Sequence, residues 1–307
     1  METLGMVALG ALVLWILCES KTSRSDGALV RTHPYRRLMH FIMPSKVESI
    51  VLYETAFPAD PLLAYLEQAG PRLGADMTHC VVAAASVTLA QNPRLNRFVS
   101  GYRLYQRDGR WVTFSMKRKA RDAEAKVSAV KMRMEDGETF AELCARINAK
   151  IDEERSGVKT AADKEFDVFN PLPRPVLRLA VPLIRWLDYY NLVPAFFIRD
   201  DGMYTSIFAA NLGSLGMGEG YHHLYEWGNC PFFMVVGKVE ERPVVEDGQI
   251  VVRRVLPVKF TYDERVDDGL TAGRGIDTLA AVLADPAGAF GCLADDGSDR
   301  RPLVPRS

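Results

Sequence analysis

The chain has 307 residues, a formal net charge of −1, 25% charged residues and 48% hydrophobic residues. This balance excludes a general nucleic-acid binder, which carries a basic excess, and leaves a chain able to bury a sizeable core. Five widely spaced cysteines (Cys18, Cys80, Cys144, Cys230 and Cys292) contain no Cys-x-x-Cys pair, which argues against a zinc cluster or a disulfide framework and for a reducing compartment.

Residues 4–18, LGMVALGALVLWILC, form an unbroken apolar run. As a helix at ~1.5 Å per residue the run is roughly 22 Å long, short of the ~30 Å hydrocarbon core. No basic residue precedes it and no small-x-small site follows, which disfavours a cleaved signal. Lys21, Arg24, Arg31, Arg36 and Arg37 lie after it, so a spanning segment would leave the folded part on the cytoplasmic side. Residues 1–20 are therefore expected to anchor a cytoplasmic protein to a membrane, the alternative being a buried or partner-packed helix. Residues 21–33 read as a polar linker.

The folded domain is expected over residues 34–290. A short helix begins near Arg37, and residues 49–57 have strand composition. Asp60 followed by Pro61 predicts a helix start, with Asp60 as N-cap, and Gly70-Pro71 predicts its stop. Residues 78–91 are Ala-rich and apolar on most sides, the pattern of a buried helix. Asp108-Gly109 between residues 102–106 and 111–116 signals a hairpin. Phe140, Leu143, Cys144, Ile147 and Ile151 recur at helical spacing, with Gly157 as terminator. A Pro-rich connection over residues 171–175 leads into an apolar helix over 176–190, which Pro182 should kink or restart.

Residues 204–210 read as a strand, followed by a Gly-rich loop over 211–218 that includes Asn211, Gly213 and Ser214. Residues 232–239 and 250–262 read as strands joined across Asp247-Gly248. An acidic turn, Asp263-Glu264-Arg265-Val266-Asp267-Asp268-Gly269, then leads into a helix over 271–283. The polar residues 291–307 should form a loose tail. Hairpin and crossover order mix, which predicts an α/β layered domain with a mixed sheet.

Three places carry groups suited to chemistry. The acidic turn sits between strand and helix, where a rigid scaffold can hold a reactive corner. His222 and His223, in Tyr221-His222-His223-Leu224-Tyr225-Glu226-Trp227, place imidazoles beside aromatic rings and a carboxylate. They fit either loop packing or a proton-transfer role; adjacent histidines do not share a helix face, so no metal site is expected from them. Glycines 213, 216, 218 and 220 lack the spacing of a nucleotide fingerprint, and Cys230 reads as a free buried thiol.

The acidic turn resembles the His-x-x-x-Asp-Gly signature of the chloramphenicol acetyltransferase-like superfamily, especially the catalytic domain of the acyltransferase component of 2-oxoacid dehydrogenase complexes. Glu264 stands where that signature has histidine. Arg37-x-x-His40-Phe41, residues 78–97, the loop at 211–216 and residues 231–237 are similar to family segments in family order. With no lipoyl-lysine segment ahead of it, the expectation is a free-standing relative of the catalytic domain.

The resemblance implies a homotrimeric two-layer α/β sandwich with its active site between subunits. Coenzyme A or an acyl-pantetheine would enter from one side and a lipoyl-type acceptor from the other. Carried over by position, Asp268 and Arg37 form a bracing ion pair and Gly269 completes the turn. Glu264 takes the base position, and Ala209-Ala210 falls where an oxyanion hydroxyl belongs. A general base is typically worth ~10²–10⁴-fold and one oxyanion donor ~10²–10³-fold, so losing both is severe. Two readings follow: a coenzyme A-dependent acyltransferase running on Glu264, His222 or His223, or a pseudoenzyme that keeps the trimer for binding or scaffolding.

Overall fold

The computed structural model describes residues 2–118, 127–156, 167 and 169–306; Gly157, expected to end a helix, lies outside them. The elements run α1 (Glu2–Ser20), β1 (Gly27–Leu29), α2 (Pro34–Ile42), β2 (Ile50–Pro58), α3 (Asp60–Leu73), α4 (Met77–Gln91), β3 (Arg97–Ser100), β4 (Arg103–Arg107), β5 (Arg110–Lys117), β6 (Val127–Met134) and α5 (Phe140–Arg155). They continue with α6 (Arg174–Tyr189), α7 (Ala195–Asp200), β7 (Ile207–Asn211), β8 (Phe232–Val236), β9 (Glu240–Glu246), β10 (Gln249–Asp263), α8 (Gly269–Ala284) and α9 (Pro286–Phe290).

The main sheet has the order β2-β10-β8-β7-β5-β6, with β9 paired to the first half of β10. β7 runs parallel to both β5 and β8, and the other pairs are antiparallel, which makes the sheet mixed. Helices α3, α4, α5 and α8 cover one face, and the main core lies between them and the sheet. α4 is buried along most of its length because Ala and Val, with no bulky polar group, let backbones approach on every side. Asp76 and His79 close its first turn as a capping box.

Strand parity decides what each sheet face carries. On β7, Ile207 and Ala209 face the helices, while Phe208 packs on the opposite face against Phe233 of β8. That opposite face is where α6 and α7 lie.

Several expectations are corrected. Residues 21–33 are not a loose linker: Arg24 is buried, paired with Asp26 at 2.8 Å and Asp188 at 3.0 Å, and β1 joins β4. Asp108-Gly109 does not close a hairpin, because β4 belongs to a separate sheet, β1-β4-β3, and the turn carries the chain from one sheet to the other. Gly109 supplies the left-handed φ of +70° that this change of direction needs. Asp60 is the first residue of α3 rather than its cap, and the helix runs through Pro71 to end at Gly74.

Strand 232–239 breaks after Val236. A Cβ at Gly237 would meet the Glu219 backbone nitrogen at 2.6 Å, so glycine permits that crossing. Pro182 sits inside a continuous α6. The tail is pinned as well: Leu303 is buried, and its N–H donates to the Glu138 carbonyl at 2.8 Å.

Candidate active site

The acidic turn is built around two buried carboxylates. Asp263 accepts from Arg265 Nε at 2.9 Å and Nη2 at 2.8 Å, a two-pronged pair, and from Ser49 Oγ at 2.8 Å. His40 Nε2 lies 3.1 Å from the Arg265 carbonyl oxygen, so that nitrogen carries the hydrogen and donates; burial lowers the affinity of this ring for a second proton. Asp267 accepts from Arg94 Nε at 2.5 Å and Nη2 at 2.8 Å, with Arg97 at 3.6 Å and Arg36 at 3.7 Å.

The expected brace between Asp268 and Arg37 is not formed. Asp268 caps α8 instead, accepting from the Thr271 N–H at 3.1 Å, and this hydrogen bond holds its carboxyl below the usual range. Arg37 is exposed on α2. The arginines that reach the turn converge on the neighbouring Asp267. Gly269 opens α8, and a Cβ there would meet nothing nearer than the Tyr262 hydroxyl at 3.9 Å. Glu264 donates its backbone N–H to the Ser49 carbonyl at 2.9 Å while its side chain stays exposed. Arg265, the partner nearest in sequence, is already committed to Asp263.

A cavity of about 690 Å³ lies on the far face of the sheet. Its floor comes from four strands: Ser115, Ala129, Phe208 and Ala210, and Phe233. α6 contributes Leu177 and Val181, α7 contributes Phe197, and the segment after β7 contributes His222, Tyr225 and Trp227. Of the two residues placed at the oxyanion-hydroxyl position, Ala210 faces this cavity and Ala209 faces the helices.

His222 stacks on Phe233 with ring centroids 4.3 Å apart and an interplanar angle of 8°. Its Nδ1 lies 2.8 Å from the His223 carbonyl oxygen. A carbonyl can only accept, so Nδ1 carries the hydrogen in the neutral ring and Nε2 keeps its lone pair. His223 makes the same kind of contact, Nδ1 to the Leu224 carbonyl at 3.2 Å, but it is exposed and does not line the cavity. The structure therefore brings His222 and Ala210 together and leaves Glu264 and His223 outside.

Supports for this wall include two residues the sequence did not single out, Lys46 and Asp201. Lys46 is buried, and its ammonium donates to the carbonyls of Tyr225 at 2.7 Å and Gly228 at 2.9 Å; burial lowers its proton affinity. The Lys46 N–H donates to Glu226 at 2.8 Å. Trp227 Nε1 donates to Asp201 at 2.5 Å, and Asp201 also accepts from the Met203 N–H at 2.7 Å; burial raises the Asp201 carboxyl. The Gly-rich loop acts as a corner. Asn211 accepts from Ser214 N–H at 3.1 Å and donates to Thr78 at 3.1 Å, and a Cβ at Gly213 would strike the Gly237 carbonyl at 2.5 Å. The one warning in the sequence was the aromatic density of residues 221–227.

Residues 203–290 match the family model described as 2-oxoacid dehydrogenases acyltransferase (catalytic domain). The lipoamide acyltransferase component of the branched-chain alpha-keto acid dehydrogenase complex of Pseudomonas putida is 42% identical over 64 residues, which are 20% of this chain and 15% of that protein. The dihydrolipoyllysine-residue succinyltransferase component of the 2-oxoglutarate dehydrogenase complex of Cupriavidus necator is 44% identical over 61 residues, 19% and 15% of the two chains. The matched segments thus span well under two thirds of those relatives.

Solved structures extend the likeness to the fold. A probable dihydrolipoamide acetyltransferase from Listeria monocytogenes superposes with a TM-score of 0.54 at 14% identity, covering 83% of this chain and 94% of the other. The cubic core of the pyruvate dehydrogenase multienzyme complex gives 0.55 at 16%, covering 84% and 93%. Chloramphenicol acetyltransferase gives 0.52 at 12%, covering 84% and 99%.

Proposed function

From a chain that carries a 2-oxoacid dehydrogenase acyltransferase-like domain on a chloramphenicol acetyltransferase-like fold, we propose that it binds an acyl thioester in the cavity under α6 and α7 and transfers the acyl group with His222 as base. The observation that carries this reading is the pairing of an open cavity with an imidazole whose Nδ1–H is already committed to a backbone carbonyl. That arrangement leaves Nε2 free to take the proton of an attacking thiol or hydroxyl. As the nucleophile bonds to the thioester carbon, the proton rests on His222, and the same proton then leaves with the departing thiolate. The His223 carbonyl stabilises the ring while it is charged.

The donor would be a coenzyme A or acyl-pantetheine thioester and the acceptor a lipoyl-type thiol, as the family likeness suggests. Three copies would assemble as a homotrimer. The exposed apolar helix α1, long enough over Thr3–Ser20 to cross a membrane, would hold the domain at a cytoplasmic membrane face.

One observation favours a second reading. Ala210 puts a methyl group where the family resemblance puts the oxyanion hydroxyl, and in this reading the cavity is kept for binding in a pseudoenzyme. Thioester consumption measured in purified full-length chain separates the two. The acyltransferase reading expects turnover that falls ~10²-fold or more in His222→Gln and changes little in Glu264→Gln. The pseudoenzyme reading expects none in the parent.

A further inference from the structure

The cavity beneath α6 is more specific than an acyl site need be. Apart from Ser115, its floor and roof are hydrocarbon: Ala129, Phe208 and Phe233 below, Leu177, Val181 and Phe197 above. At about 690 Å³ it falls within the ~300–1,000 Å³ range of small-molecule sites, far more than an acetyl group fills. The described residues that line it include no lysine or arginine, so among them no permanent cation would pair with a carboxylate or phosphate. Its acidic groups are Asp200 and Asp201. Asp200 is paired with Arg199 at 2.9 Å, which offsets its charge, and Asp201 accepts from Trp227 and Met203, so neither would draw in an anion.

α6 adds an independent observation. It has no buried residue, and Leu179 and Leu183 point away from the fold at 75% and 55% exposure, while Leu177 and Val181 face the cavity. The part of α6 that faces the cavity, Leu177 and Val181, is hydrocarbon, as a roof over an apolar ligand would be.

We propose that this cavity receives the long aliphatic chain of an acyl group carried on a neutral thioester or ester, with the carbonyl end beside His222 and the chain running between the sheet and α6. The proposal rests on the acyl-binding reading above and names its substrate class. Chain length would then set affinity through methylene burial, and a free fatty acid would be disfavoured because its carboxylate would be desolvated against a described lining without lysine or arginine.

The test is calorimetric titration of the full-length protein with N-acetylcysteamine thioesters of acetate, octanoate and palmitate, with the matching methyl esters and with the free acids. Affinity should rise roughly fourfold per added methylene until the cavity is full. Esters should match thioesters, and free acids should bind at least tenfold more weakly. Val181→Trp fills the cavity from a helix with no buried residue, so the fold is spared. It should weaken octanoyl binding at least tenfold, with thermal melting as the control.

Equal affinity from acetyl to palmitoyl, tighter binding of free acids, or an indifferent Val181→Trp would overturn the proposal. Displacement of bound octanoyl thioester by dihydrolipoamide at comparable concentration would also overturn it, since that would make the cavity an acceptor site. Binding is read without turnover. Length-dependent binding with no transfer would therefore sink the acyltransferase reading alone, and transfer of acetyl without length dependence would sink this proposal alone.

Discussion

Asp263 and Asp267 are both buried in the acidic turn, and each is neutralised by arginine: Asp263 by Arg265, Asp267 by Arg94 with Arg36 and Arg97 close by. A buried carboxylate that loses its partner keeps its desolvation cost, so Arg265→Met should destabilise the fold by about 3–5 kcal/mol in urea unfolding. Arg37→Ala, on an exposed side chain, should fall within ~0.5 kcal/mol of the parent. A large loss at Arg37 would restore the Asp268–Arg37 brace. The motif frame was legible in the sequence, down to Glu264 at the histidine position. Which arginine serves which aspartate was not, because Arg36, Arg94 and Arg97 meet Asp267 only after α2 and the segment following α4 are folded against the turn.

At the scale of elements, periodicity located α4, α5 and α8 and the long strand β10, since burial of one face or of all faces leaves a plain pattern. It could not say that β4 and β5 part into different sheets, since a turn sequence specifies a bend and not a partner. α6 was legible as an apolar helix, but its role as a cavity roof depends on β7 and β8 lying beneath it. One tie between these layers titrates. Lys131 on β6 donates to the carbonyls of Ile198 at 2.7 Å and Asp201 at 3.1 Å, and burial pushes its ammonium down to about 8.

Its unfolded value is ~10.4, so between those limits the unfolded chain holds a proton that the folded chain has released. Stability should therefore rise with pH across that window and level off above it. Lys131→Met should remove the rise, measured as urea midpoints from pH 7.5 to 10.5, a range chosen to bracket about 8 and ~10.4. A parent whose stability is flat or falls there would contradict the assignment.

For the whole molecule, mixed hairpin and crossover order pointed to an α/β layered fold with a mixed sheet, the family resemblance implied a two-layer sandwich, and the sheet order and solved structures agree with that class. What composition hid was how tightly the N-terminal segment is tied in. Arg24, Asp26, Arg107, Asp188 and Asn229 form one buried polar cluster that joins residues before β1 to the end of α6. Charged residues so far apart in sequence read singly as solvated surface.

The central claim is that acyl chemistry has its seat in the cavity shared by His222 and Ala210, not at Glu264. A crystal structure of the full-length protein grown with octanoyl N-acetylcysteamine tests it most directly. The claim predicts the thioester carbonyl beside the His222 ring, with the alkyl chain between Phe233 and α6. Ligand density against Glu264, with the cavity under α6 empty, would contradict it.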